Sequence, residues 1–241
     1  MRSKSSTKLK KSTSVMRPII LSLMALMLTA SSGVCFLGGN LTNELKPLIV
    51  GQLNQTDRVL TEPEGSLLLQ LRTLSLEQVF WTRMAISSLI QGSDESDFIL
   101  KRLLRNSKDM IETLRPYFGP DKSDKYGDLL NKQMKITVEF VNATRDRDEN
   151  ALKSAVQRWF KNADEVSLLE SSAVSGLSPE ARKAMWYNLL NLTKNETIQM
   201  LGRDHNASID TFDRIEERAI IMADSLADAI IAMKPESFHE M

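Results

Sequence analysis

Cysteine and histidine are nearly missing from this chain, with one Cys and two His in 241 residues. A lone Cys35 excludes a disulfide within the chain, so a folded domain must be held by packing alone. His205 and His239 have no partner at metal-ligand spacing, which leaves an imidazole-built metal site or a histidine general base without support. Neither a glycine-rich phosphate loop nor a Ser/His/Asp or Cys/His arrangement is present, so nucleotide binding and nucleophilic catalysis lack their usual residues. Glycine (10) and proline (7) are scarce while methionine reaches 12. Few chain breakers and many long unbranched side chains favour helices over sheets.

A net charge of one sign is also missing, since 31 basic residues balance 31 acidic ones. The balance hides an asymmetry. Arg2, Lys4, Lys8, Lys10, Lys11 and Arg17 fall in the first 18 residues with no acid among them, leaving 25 basic against 31 acidic residues in the remainder. An acidic body lacks the basic footprint that nucleic-acid binding needs. The basic cluster instead precedes an uncharged run, Ile19 to Gly39, whose strongly apolar part is Ile19–Leu28. Positive residues followed by such a run read as a cleaved signal peptide or a retained signal anchor. Ala30, Ser31, Ser32 and Gly33 offer cleavage points, whereas Val34 before Cys35 spoils a lipobox. In both readings the basic end stays cytoplasmic and the rest is exported, either membrane-anchored or secreted. The membrane is then the partner implied by the N-terminal segment, and no protein partner is specified.

Asn-x-Ser/Thr sequons begin at Asn40, Asn54, Asn142, Asn191, Asn195 and Asn206. Six exceed the roughly two that composition would supply by chance. They are candidate glycosylation sites in a host that glycosylates, while scatter of a short motif onto helices is the plainer alternative.

The domain plan follows from punctuation and periodicity. Residues 1–39 form the leader, and 40–65, interrupted by Pro47, Gly51, Pro63 and Gly65, read as a linker. Residues 66–235 form the helical domain, with Ser66 a plausible N-cap, and 236–241 are a tail. Leu67, Leu71, Leu74, Trp81, Ala85 and Leu89 make one helical stripe ended by Gly92. Short helices are expected at 97–105 and 107–114, then longer ones over 123–144 and 149–171. Ser178-Pro179-Glu180 starts another, and Thr193 to Glu196 resembles a capping box that would kink it. The last helix, about Ala207–Met233, carries Phe212, Ile215, Ala219, Met222, Leu226 and Ile230 on one face. The predicted fold is an all-α antiparallel helical bundle preceded by the signal or anchor segment.

An internal echo suggests a hairpin repeat within that bundle. Leu129-Leu130-Asn131 recurs as Leu189-Leu190-Asn191, and Asn162-Ala163-Asp164 as Met222-Ala223-Asp224, both 60 residues on. Two hairpins related in this way would pack about a pseudo-twofold axis. Asp164 and Asp224 fall far from their stripes, so solvated carboxylates are a better reading than a catalytic pair. Gln78 and Gln133, by contrast, fall on core-facing positions. A buried carboxamide costs a few kcal/mol without partners, so these two predict a structural hydrogen bond, between each other or elsewhere, or a polar pocket in the core. Trp81, Trp159 and Trp186 read as packing anchors rather than a cofactor box. Arg83 reads as a surface or ion-pair residue.

Phe80-Trp81-Thr82-Arg83, Arg102-Leu103-Leu104-Arg105-Asn106, Asp128-Leu129-Leu130, Arg158-Trp159-Phe160-Lys161-Asn162-Ala163-Asp164 and Met222-Ala223-Asp224 occur in that order. Over Leu67–Met233 they make the chain resemble a group of uncharacterised helical bacterial proteins often labelled acetylglutamate kinase. The resemblance implies a helical fold. The kinase label does not follow, because an amino-acid kinase needs an α/β sheet and glycine-rich phosphate loops. In the family pattern, His stands at the positions of Gln78, Gln133 and Leu189. If those His bind a metal in relatives, this chain has lost that site, and no cofactor is implied.

Two functions of different class follow as expectations. The first is a non-catalytic exported domain with a structural or interaction role at the cell surface. The alternative is a small-molecule- or metal-binding bundle, a sensor or carrier. An enzyme is not expected.

Overall fold

The computed structural model describes residues 59–238. The leader, Cys35, most of the expected linker, the sequons at Asn40 and Asn54, and His239 lie outside them. The described residues form six helices, α1 Glu62–Gln91, α2 Ser96–Phe118, α3 Pro120–Asp146, α4 Glu149–Ala173, α5 Pro179–Leu201 and α6 His205–Met233, followed by a 3₁₀ turn Pro235–Ser237. None of these helices is long and apolar enough to cross a membrane. The all-α bundle expected from the sequence is the observed fold.

Local chemistry sets where each helix starts. α1 begins at Glu62, ahead of the expected Ser66, because Thr61 and Glu64 form a capping box: the Glu64 N–H donates to Thr61 Oγ1 and the Thr61 N–H to Glu64 Oε2. Pro63 then falls in the first turn, where its missing N–H costs nothing. Asp148, Ser178 and Asp204 cap α4, α5 and α6 by accepting from Ala151, Ala181 and Ala207. The two short helices expected between 97 and 114 are one helix, with Pro116 inside its last turn. No kink forms at Thr193 either. Its hydroxyl donates to the Leu189 carbonyl one turn back rather than capping a new start, and α5 runs on.

Consecutive helices pack antiparallel, and α6 returns against α1, closing a ring. The odd-numbered helices also touch one another and so form the inner trio of that ring. The chain therefore consists of three hairpins, α1–α2, α3–α4 and α5–α6. Each hairpin turns through a residue of positive φ, Gly92, Arg147 and Arg203. The next residue in each donates its N–H five residues back: Ser93 to Ser88, Asp148 to Ala143, Asp204 to Gln199. Those turns repeat at 55 and 56 residues. Arg102, Arg158 and Arg214 share that spacing on the outer helices, as do the buried Leu103, Trp159 and Ile215 and the buried small residues Ser107, Ala163 and Ala219. The repeat is thus threefold in number, and the 60-residue echo is out of step by four residues, about one helical turn.

The core runs along the ring's inner face, where Leu71, Leu114 and Ile230 at one end and Phe140 against Trp159 further along are essentially inaccessible. The expected C-terminal tail begins inside the fold: Phe238 is buried, stacks on Tyr117, and accepts at its carbonyl from Thr61 Oγ1. The two ends of the domain are thereby tied together. Truncating Phe140, which packs 4.9 Å from the Trp159 ring, removes a fully buried aromatic. Phe140→Ala is expected to cost about 3–5 kcal/mol, read from the midpoint of urea unfolding. A loss under about 1 kcal/mol would show that the ring collapses to fill the space.

Candidate functional site

Three inner helices and their three outer partners leave a cavity of about 110 Å³ at the centre of the bundle, lined from all six helices. Counted as room for the centres of water-sized spheres, with roughly 10–15 Å³ per water, it is large enough for several waters or a small organic molecule. Its wall reaches from Arg182 to Glu196 along α5, fourteen residues or about 21 Å, so the space is elongated. Most of the lining is aliphatic, aromatic or methionine, including Met110, Met134 and Met222.

Gln78, Gln133 and Leu189 occupy equivalent places on the inner helices and all line this cavity. One turn on, Thr82, Thr137 and Thr193 line it too, each hydroxyl donating to the carbonyl four residues back. The glutamines do not bond to each other. Asn106 of α2 donates from Nδ2 to the Leu74 carbonyl and to Gln78 Oε1, both at 3.0 Å. Asn162 of α4 does the same to the Leu129 carbonyl at 3.1 Å and to Gln133 Oε1 at 2.9 Å. Both asparagines are wholly buried, so each brace replaces water for a carboxamide that has none. The third hairpin carries Arg218 and Leu189 at the corresponding positions and lacks the brace.

Charge enters the cavity wall at each end. Glu170 and Arg182, both essentially inaccessible, pair through Nε and Oε2 at 2.7 Å. Glu170 also accepts from Tyr126 Oη and Trp186 Nε1, each at 3.2 Å, and Arg182 Nη1 donates to the Met222 carbonyl at 3.0 Å. Burial pulls the guanidinium's pKa down, but Glu170 outweighs it and the net direction is up. Burial and the neighbouring Glu170 push the Tyr126 hydroxyl well above its usual range. At the other end Arg83, which lies 4.6 Å over the Phe212 ring, pairs with Glu196 and donates to the Ser208 carbonyl. Burial raises the Glu196 carboxyl against the opposing pull of Arg83, to about 7 from an ordinary 4.5. The site can therefore exchange one proton near neutrality.

The other residues singled out by sequence are dispersed. Asp224 forms a two-pronged pair with Arg72, and Asp164 pairs with Lys183 and accepts from Tyr187 Oη. Each aspartate ties two helices together near the surface, and they are not a pair. His205 is exposed in the first turn of α6, and no cluster of three or more metal-ligating side chains exists among the described residues. Asn142 is half-buried on α3, while Asn191, Asn195 and Asn206 are exposed on α5 and α6. The sequon hydroxyls Thr193 and Thr197 are buried and bonded to backbone carbonyls. Trp159 and Trp186 line the cavity, and Trp81 packs under Arg102 instead.

Sequence reasoning missed Asn106, Asn162, Glu170, Arg182 and Glu196. The signals were there: Asn106 and Asn162 each follow an arginine by four residues, and Glu170 falls one turn after Val166 on the Trp159 stripe.

Comparison with known proteins found no matching family model, no matching curated protein and no matching solved structure.

Two outcomes are expected from the charged ends. Arg182→Met strands a buried carboxylate and should cost about 3–5 kcal/mol, most of it regained by adding Glu170→Gln. A double variant no more stable than the single would mean that packing, not charge, was lost. Because native Glu196 keeps a proton that the unfolded chain has released, stability should be fullest below pH 4.5 and fall as pH rises to about 7. Glu196→Gln should remove that part of the slope in unfolding midpoints recorded across the window, and an unchanged slope would assign it to another group.

Proposed function

We propose that this chain is an exported, non-catalytic binding module that holds a small, largely apolar molecule in the cavity of its helical bundle. The observation that carries this reading is the central cavity itself. Apolar wall with a few fixed polar groups is the usual make-up of a ligand pocket, and a close-packed interior does not otherwise keep such a space. The role is that of a sensor or carrier. The described part of the cavity offers carboxylates already paired with arginines, and amides, rather than a nucleophile beside a base, which supports binding over turnover. Nothing in the site favours the kinase label attached to the proteins it resembles.

Export rests on the N-terminal run of basic and then apolar residues. It supports a signal peptide or signal anchor, with the membrane as partner and the domain outside the cytoplasm or secreted. In a glycosylating host the exposed Asn191, Asn195 and Asn206 are the better sugar acceptors.

A purely structural or interaction domain at the cell surface is the second reading. The observation favouring it is the set of large apolar side chains left more than half exposed, Leu69, Phe98, Leu168 and Ile209. They sit on four different helices, and single exposed apolar residues are common on any surface.

Native mass spectrometry of the protein purified from its own host's membranes and medium separates the two. A small-molecule adduct released on unfolding is expected, and a ligand at a hundred times its Kd should add roughly 2.7 kcal/mol of stability. A mass explained by the chain and glycans alone would favour the structural reading.

A further inference from the structure

The direction of the hydrogen-bonding groups on the cavity wall says what kind of molecule it holds. A carboxamide's nitrogen and oxygen are told apart by their partners. Here the backbone decides. The Leu74 carbonyl can only accept, so the atom of Asn106 that meets it is the nitrogen, and the same nitrogen meets the Gln78 side chain. That contact must then be with the Gln78 oxygen, leaving the Gln78 Nε2 group on the other side of its amide. The Leu129 carbonyl, Asn162 and Gln133 repeat the reasoning one hairpin later. Neither Gln Nε2 has a partner among the described residues, and both side chains line the cavity without being fully buried.

A third donor lies on the same wall. Trp159 is 1% exposed and its Nε1 has no hydrogen-bond partner. Other polar groups on the wall are engaged: the hydroxyl protons of Thr82, Thr137 and Thr193 go to backbone carbonyls, Glu170 is held by Arg182 and Trp186, and Glu196 is held by Arg83. The unengaged capacity with a fixed direction is therefore donor. A buried donor without an acceptor costs about 1–3 kcal/mol, so a ligand supplying acceptors is favoured over a hydrocarbon of the same shape.

From this we infer that the cavity selects a small apolar molecule bearing a carbonyl-type acceptor oxygen, which Nε2 of Gln78 and of Gln133 hold. The inference rests on the binding reading above and names its ligand class. Gln78 and Gln133 are the specificity-determining residues, while Asn106 and Asn162 are positioning residues that fix which face of each amide meets the ligand. Leu189, at the third equivalent place, adds apolar contact and no hydrogen bond, so the donors sit on two sides only.

A matched pair of probes tests it: acetophenone, and α-methylstyrene, in which a methylene group replaces the carbonyl oxygen. Binding to the full chain is followed at the indole N–H signals of Trp159 and Trp186 by NMR, with the free concentration of each probe measured. Acetophenone should bind about five- to tenfold more tightly, the worth of one hydrogen bond, and the preference should vanish in Gln78→Met/Gln133→Met. Should that variant fail to fold, Gln78→Glu keeps the acceptor that Asn106 needs while removing the donor, and should weaken acetophenone alone. Equal binding of both probes by the unaltered protein overturns this inference and leaves the cavity as a binding site. Indole signals unmoved by both probes overturn the binding reading along with it.

Discussion

A buried side-chain amide that reaches a backbone carbonyl on a neighbouring helix can do so at one register only. Asn106 and Asn162 each do this, and each carries the inner glutamine of its hairpin with it. Sliding either hairpin by a turn would leave a backbone carbonyl, an asparagine and a glutamine unsatisfied in a place water does not reach, which apolar packing alone would not forbid. Register in turn aligns the hairpin turns, stacks Phe140 on Trp159, and brings Gln78, Gln133 and Leu189 to one level of the ring. With no disulfide available to the domain, these braces and the capped turns carry the specificity that covalent links supply elsewhere.

The ring they hold has a cost at its centre. Three inner helices flanked by three outer ones meet along their apolar faces, yet side chains of ordinary size leave the middle incompletely filled. The chain lines that middle with methionine and aromatic groups and closes its two ends with ion pairs. Glu170 with Arg182 is the more enclosed, supported by Tyr126, Trp186 and the Met222 carbonyl. Glu196 with Arg83 is nearer the hairpin turns, and its carboxyl lies at the edge of protonation at neutral pH. Buried pairs of this kind add little net stability compared with hydrocarbon, but removing one partner is expensive. Their placement at the two ends of a cavity is consistent with a site whose polar groups orient an occupant while its apolar wall supplies most of the contact.

Much of this was legible in the sequence, for reasons visible in particular residues. Periodicity found α1, α3, α4 and α6 because their apolar faces are continuous, as in the run Ile215, Ala219, Met222, Leu226, Ile230. Ser178-Pro179 marked the start of α5 because an N-cap followed by proline has few other uses. Reading failed where one signal admits two local outcomes. Thr193 with Glu196 has the spacing of a capping box, but both residues are buried: the threonine bonds back to its own helix, and the glutamate turns to Arg83. Pro63 and Gly65 looked like linker, yet Thr61 and Glu64 cap a helix that already contains them. Gln78 and Gln133 were placed correctly on the inner face, while their partners were not found.

The sequence by itself determined the helices and their apolar stripes, because a 3.6-residue period and capping chemistry act over a few neighbouring residues. Its lack of cysteine and of histidine clusters likewise settled that packing must hold the domain. Only the tertiary structure decided that the hairpins number three, that their register is 55 and 56 rather than 60, and that Asn106, Asn162, Glu170, Arg182 and Glu196 meet around one cavity. Those facts depend on which buried polar atom finds which partner across the chain. A difference of one helical turn leaves an amphipathic pattern almost unchanged, and it is the geometry of a hydrogen bond that tells the alternatives apart.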